Sequence, residues 1–469
     1  MSRLSRAVAL ALCTVGMASA VQAGTYVVLA KGTSFDAKLA AKVTAAGGVI
    51  TNRMSAIGVA IVESNSSTFA AQASKIRGIQ SVNADVALEG PAPDSTALTE
   101  EEIAAMYANP APSGDDDFFF DLQWGHRAVD AAGAWNQGPR GNGAVVAVLD
   151  SGIACTHPDL APNIDMALST SFVLTEGVCL TALNSFNHGS HVAGTIAAAD
   201  NAFGTIGVAP EAQIIAVKVL SQATGSGSFA GIIQGIYYAA SVGADVINMS
   251  LGVNGGLPIG GKDVAELVNA TARATRYAES QNALVVASAG NAGMDLNHSS
   301  GRFYDPGTGT YYTANLRAFP SELPGVLSIS ATAPIGWAND VAGTFLDNPA
   351  SYSNFGSAIS FAAPGGDSVY PTNENCFLVF TRPCWVFDLV FSVRGYNAIG
   401  NPSWGWAAGT SMAAPHASGV AALIIAKNGG EMAPAQVVQI MRASADDLGK
   451  PGGDVHYGYG RVNASRAVE

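Results

Sequence analysis

Gly409-Thr-Ser-Met-Ala-Ala-Pro415 opens a long apolar run, Met412 to Ala426, that reads as a buried helix. Ser411 stands at its head, beside unpaired backbone N–H groups and the positive end of the helix dipole. Those groups stabilise an oxygen that turns negative during an attack. Pro415 reads as part of the opening turn, where a missing N–H costs little. A serine in this place is either a plain helix cap or a nucleophile. The difference is whether a base, an orienting acid and an oxyanion donor exist elsewhere.

Working outward, Gly141 to Leu149 ends in Ala-Val-Val-Ala-Val-Leu, a continuous apolar run of the kind found in buried parallel strands. Asp150-Ser-Gly follows at its carboxyl end, where open α/β sheets build their sites. Next comes Asn187-His-Gly-Ser-His-Val-Ala-Gly194, leading into a small-residue helix. Ala283 to Ser288 is another buried strand and closes on Ala289-Gly-Asn291. Each motif alone is weak. Asp-Ser-Gly also serves as a turn or as half of an aspartic peptidase site, of which this chain has only one copy, and His-x-x-His also binds metal. Together, in the chain order Asp, His, Asn, Ser, they point to one site.

On these motifs, and on the closing Gly458-Tyr-Gly-Arg-Val-Asn-Ala-Ser-Arg-Ala-Val468, the chain from Leu122 onward resembles the subtilisin-like serine peptidases (subtilases). The resemblance implies that Ser411 attacks a peptide carbonyl, with His188 taking its proton and Asp150 orienting the imidazole. Asn291 would join the Ser411 N–H as oxyanion donor. His191 is the rival base and is read as structural. The same resemblance implies a substrate bound as an added strand, between Gly225-Ser226-Gly227 and the segment Ser250-Leu251-Gly252. Ser288, Ala289 and Gly290 would line a small uncharged primary pocket, with Ala318 near its base. It also implies a structural calcium, held by Asp159, the Asn201 side chain, and the carbonyls of Ala199, Phe203 and Thr205. The family's N-terminal glutamine ligand falls near Phe120 here, a departure from the pattern. No cofactor is expected in catalysis.

Strands ending at Asp150, Leu220, Ser250 and Ser288 alternate with helices expected over Ser228–Ser241, Asp263–Ser280, Ser411–Ala426 and Ala433–Ala443. That alternation predicts an α/β fold, a mainly parallel sheet with helices on both faces. Residues 24–90 read as a separate β-α-β-β-α-β unit, ferredoxin-like α+β in order. By resemblance it is the inhibitory and folding propeptide, an intramolecular partner whose C-terminal tail blocks the cleft. Residues 91–121, rich in Pro, Ala and acids and including Asp115-Asp-Asp117, read as an acidic linker too poor in apolar residues to fold firmly. It is expected to carry the processing site. The catalytic domain spans 122–469.

Composition sets further bounds. Hydrophobic residues are 48% and charged residues 13%, as in a globular body with buried strands. A net charge of −13 argues against nucleic acid and anionic membrane as partners. Polypeptide substrates and a monomeric state are expected. Residues 1–23 combine Arg3 and Arg6, an apolar stretch and small residues, the pattern of a secretory signal too short to span a bilayer. Secretion, extracellular or periplasmic, follows. Four cysteines remain beyond the signal: Cys155, Cys179, Cys376 and Cys384. They allow three pairings. The local one, Cys155–Cys179 with Cys376–Cys384, is expected. The spacings lack the Cys-x-x-Cys of a zinc site.

Overall fold

Residues 24–88, 95–108, 114–305 and 310–469 are described in the computed structural model. The segment read as an export signal lies outside them, as do 89–94 and 109–113 of the stretch read as propeptide end and linker.

The N-terminal unit runs β1 (Gly24–Ala30), α1 (Ala37–Ala45), β2 (Val49–Met54), β3 (Val59–Ser64), α2 (Phe69–Ala73) and β4 (Ile79–Ala84). Its strands lie in the order β2-β3-β1-β4 with antiparallel neighbours. Both faces of this sheet are covered, which explains the unbroken apolar run in β1. Side chains alternate across a strand. Val28 and Ala30 join the unit's own core with Phe35, Val43 and Phe69. Val27 and Leu29 point the other way, into a core shared with the following body.

The last strand of the unit ends at Ala84, before Asp85. Beyond the break β5 (Ala87–Leu88) leaves the unit altogether. Further on come β6 (Ser95–Ala97) and α3 (Glu100–Ala108). The expectation that the linker over 91–121 cannot fold firmly is therefore corrected for its described residues. Leu98, Phe119 and Asp117 are buried, and Arg382 forms an ion pair with Glu102. The segment has too little apolar surface for a core of its own, but it borrows one from the body. Packing of the body thus begins before Leu122.

The body contributes β7 (Val145–Asp150), α4 (His188–Ala197), β8 (Gln213–Lys218), β9 (Gly227–Ser228), α5 (Phe229–Ser241), β10 (Val246–Met249), α6 (Lys262–Ser280) and β11 (Leu284–Ser288). After these come β12 (Val326–Ala333), β13 (Phe361–Pro364), β14 (Val390–Tyr396), β15 (Pro402–Ala407), α7 (Thr410–Lys427) and α8 (Pro434–Ser444). The central sheet has the order β13-β12-β11-β10-β7-β8, and each of these pairs is parallel. In β7 the period of two sorts side chains to opposite cores. Val146 and Val148 face α4 and α7, while Ala147 and Leu149 face α5 and α6. Every side chain from Thr410 to Ile425 is buried, so α7 is a central helix enclosed on all sides. Among the described residues, no helix is long and apolar enough to cross a membrane. Disulfides join Cys155 to Cys179 and Cys376 to Cys384.

Candidate active site

The parallel arrangement brings the carboxyl ends of β7, β10 and β11 to one edge of the sheet, and α7 begins there. Asp150 is the last residue of β7 and is buried. One carboxylate oxygen accepts the Ser151 N–H at 2.7 Å. Both oxygens lie 2.9 Å from His188 Nδ1. Commitment of Nδ1 to the carboxylate leaves Nε2 as the nitrogen available to act as a base. His188 opens α4, which Asn187 caps by accepting the Ser190 N–H at 2.9 Å. The approach requires a glycine next to the histidine. A Cβ on Gly189 would lie 2.2 Å from the Gly152 carbonyl oxygen.

Ser411 is the second residue of α7, where a backbone N–H has no intrahelical acceptor. Its hydroxyl donates to the Ser250 carbonyl at 3.2 Å, and the Ser250 hydroxyl donates to the Ser411 carbonyl at 2.8 Å. Pro415 explains why that carbonyl is open. The expectation that it sits in the opening turn is corrected: it is the sixth helical residue. A proline there removes the N–H that would bond the carbonyl four residues back, which is that of Ser411.

Asn291 follows β11. Its Oδ1 accepts from the Thr410 N–H at 2.9 Å and from the Thr410 hydroxyl at 2.7 Å. The Thr410 hydroxyl in turn accepts the Gly290 N–H at 3.0 Å. The ring of bonds fixes the amide so that Nδ2 is its donor. A Cβ on Gly409 would come 3.2 Å from that Nδ2. Thr410 was missed as a positioning residue; its signal was a hydroxyl directly before the serine.

His188 and Ser411 line one cavity of about 390 Å³, with Ser250, Leu251, Gly225 and the loop Ser221–Thr224. Ser226 and Gly227 face the neighbouring junction with the N-terminal unit. Gly252, Ser288, Ala289, Gly290 and Ala318 lie outside this lining. Ser288 donates its hydroxyl to the Leu251 carbonyl at 3.4 Å. Ala289 and Ala318 belong to a small buried cluster with Leu296 and Ile359. His191 is fully buried and outside the cavity, and burial pulls it down to about 3. Sequence reasoning also missed Ser95, which lines the cavity from the segment taken for linker.

The residues expected to hold calcium lie together and are tied to one another by hydrogen bonds. Asp159 Oδ2 accepts three hydrogen bonds, from the Thr205 N–H, the Thr205 hydroxyl and the Trp404 indole N–H, each at 2.8 Å. Its Oδ1 is buried without a protein partner and is the carboxylate oxygen open to a cation, and burial pushes the group up to about 7. Thr205 and Phe203 turn N–H groups toward carboxylates, Phe203 toward Asp117 at 3.0 Å. Asn201 Nδ2 donates to the Pro158 carbonyl at 3.2 Å. The Ala199 N–H donates to the Asp159 carbonyl at 2.7 Å, tying the two segments.

A buried carboxylate–imidazole pair, sharing a cavity with a serine at a helix N-terminus on the carboxyl edge of a parallel sheet, defines the class: a serine peptidase with the subtilisin fold. The chain belongs to the subtilase family, whose family model matches residues 141–460. It is 32% identical over 382 residues to an alkaline protease of Alkalihalobacillus alcalophilus, covering 80% of this chain and 78% of that one. Thermitase of Thermoactinomyces vulgaris is 30% identical over 358 residues, covering 76% and 99%. The epidermin leader peptide processing serine protease of Staphylococcus aureus superposes with a TM-score of 0.69 at 21% identity, over 95% of this chain and 98% of that one. The protein is therefore a serine endopeptidase, and its substrates are polypeptides.

Proposed function

We propose that this is a secreted endopeptidase that works through an acyl-enzyme with Asp150, His188 and Ser411, and that it is made as a self-processed zymogen. The observation that carries the catalytic reading is the pairing of His188 Nδ1 with both Asp150 oxygens, at 2.9 Å, in the cavity that holds Ser411. The Ser411 hydroxyl turns from the Ser250 carbonyl to His188 Nε2, loses its proton there and attacks the carbonyl carbon. The negative oxygen that forms is met by the Ser411 N–H and Asn291 Nδ2. His188 then protonates the leaving amine, and water repeats the sequence on the ester.

Self-processing is supported by the path of the chain. β5 pairs antiparallel with β9, Leu88 opposite Gly227, on the substrate edge expected from the sequence. Ser95 re-emerges in the cavity of His188 and Ser411. The bond to be cut lies between these two residues, and the N-terminal unit acts as inhibitor by filling the acyl side of the cleft. Export is supported by the signal-like start and by two disulfides, which persist in oxidising compartments. Purified Ser411→Ala is expected to remain full-length and inert on casein. Processing at the wild-type rate would overturn the assignment.

A further inference from the structure

The far side of the cleft is also occupied by this chain. β6 adds to the β14–β15 hairpin as a third strand, antiparallel to β15, with Ser95 opposite Ala407 and Ala97 opposite Gly405. Ala407 lies four residues before Ser411. Since Leu88 occupies the Gly227 edge, the edge of β15 faces the residues that follow the cleaved bond. The edge is shaped for a backbone: a Cβ on Gly405 would lie 2.4 Å from the Thr96 carbonyl oxygen. The Leu98 N–H donates to the Trp404 carbonyl at 3.0 Å, and Leu98 is buried.

The segment is then latched. Arg382 Nε donates to Glu102 at 2.7 Å, Nη2 reaches its second oxygen at 2.5 Å, and Nη2 also donates to the Ala97 carbonyl at 2.7 Å. The guanidinium lies 5.3 Å from the Trp406 ring. Thr99 and Glu102 cap α3 reciprocally, at 2.7 and 3.2 Å. None of these bonds involves the N-terminal unit, so cutting the chain before Ser95 breaks none of them. Five residues separate Ala108 from Gly114, so the freed segment stays tethered to the body. A short tether keeps its effective concentration in the millimolar range.

We propose that residues 95–108, latched by Arg382, remain on the edge of β15 after processing and compete there with the leaving side of a polypeptide substrate. The proposal rests on the peptidase reading above. The test uses the full chain, freshly processed, with two substrates: a peptide p-nitroanilide, which has no residue after the cut bond, and a quenched fluorescent peptide with at least five. Glu102→Ala should leave the anilide rate unchanged and raise kcat/KM on the long peptide about 10-fold, the scale of one charge-assisted latch lost from a tethered competitor. Thr99→Ala, which removes the hydroxyl that accepts the Glu102 N–H and leaves the β15 edge intact, should raise the long-to-short ratio in the same direction. Intact mass should show Ser95 retained in the wild-type enzyme. An unchanged ratio in both variants, or a processed chain lacking Ser95, overturns the inference while the peptidase reading stands. Absence of activity on both substrates overturns the two together.

Discussion

Lys218 is the last residue of β8 and stands opposite Asp150 in the parallel register. Its side chain is 1% exposed, an expensive place for an ammonium. Burial pulls its titration below the ordinary lysine value, and Glu176, 3.1 Å away, works against that pull. Nζ also donates to the Ser151 carbonyl, so the cation holds the turn that follows Asp150. Glu176 meanwhile accepts the Ser221 hydroxyl at 2.5 Å and the Gln222 N–H at 2.9 Å. One buried ion pair thereby ties the acid of the site to the loop that walls the cavity. Lys218→Met strands Glu176 without its cation. Removing one partner of a fully buried pair costs about 3–5 kcal/mol, and 17% exposure of Glu176 places this one near the lower end. Urea unfolding should show a loss of about 3 kcal/mol, with part of it recovered by adding Glu176→Gln. An unaltered midpoint would mean that the pair holds nothing.

Among the elements, those whose burial is two-sided were legible and those defined by their neighbours were not. β7, β10 and β11 are largely apolar because helices cover both faces, and their ends delivered Asp150, Ser250 and Asn291. β12 is broken by Ser328, Ser330 and Thr332, and β13 is only four residues closing on Pro364, so no long apolar run marked them. β6 is three residues long and exists only because β15 offers an edge. Glu102 and Arg382 are 280 positions apart, a pairing that no local pattern reveals. Asp159 was read as a calcium ligand, and its partner Trp404, from a hairpin far along the chain, carried no local signal. The same limit hid how the N-terminal unit docks. Asp85 breaks the last strand and accepts the Ala230 N–H at 2.9 Å, at the start of α5, where a carboxylate is favoured. Arg273 on α6 donates to the carbonyls of Ala30, Gly32 and Ile57 at 3.0, 3.0 and 3.3 Å, and to the Gln80 side chain at 2.8 Å. Hydrogen bonds to a charged donor contribute about 1.5–3 kcal/mol each when unmade partners stay buried. Arg273→Ala should weaken inhibition of mature enzyme by the separately added N-terminal unit about 100-fold, or roughly 3 kcal/mol. An unchanged inhibition constant would show that the apolar sheet face alone holds the unit.

For the molecule as a whole, buried titrating groups set the response to acid. Burial holds His157 and His191 at about 3, His416 at about 4, and His126 well below the ordinary imidazole value. In the unfolded chain each titrates near 6.5. Below that pH the unfolded state binds four more protons than the folded state, so these groups alone would drain stability from pH 6.5 downward. Four carboxyls act with the opposite sign. Burial raises Asp117 to about 9, Asp159 to about 7, and Asp245 and Asp388 to about 6. Between pH 6 and 4 the folded state already holds these four protons and the unfolded state does not, which offsets the imidazoles. Below about pH 4 the unfolded carboxyls protonate too and the offset disappears. His416 takes up its own proton in the folded state near pH 4, so the imidazole excess is then about three protons, worth up to about 4 kcal/mol per pH unit, and it shrinks as His157 and His191 protonate near pH 3. Urea unfolding of the full-length Ser411→Ala chain, chosen to prevent self-digestion, should therefore give a nearly level free energy from pH 6 to 4.5 and a steep fall below 4. A steady decline beginning at pH 6.5 would mean that the carboxyls are ionised in the folded protein, and that the buried acids are held by partners rather than by protons.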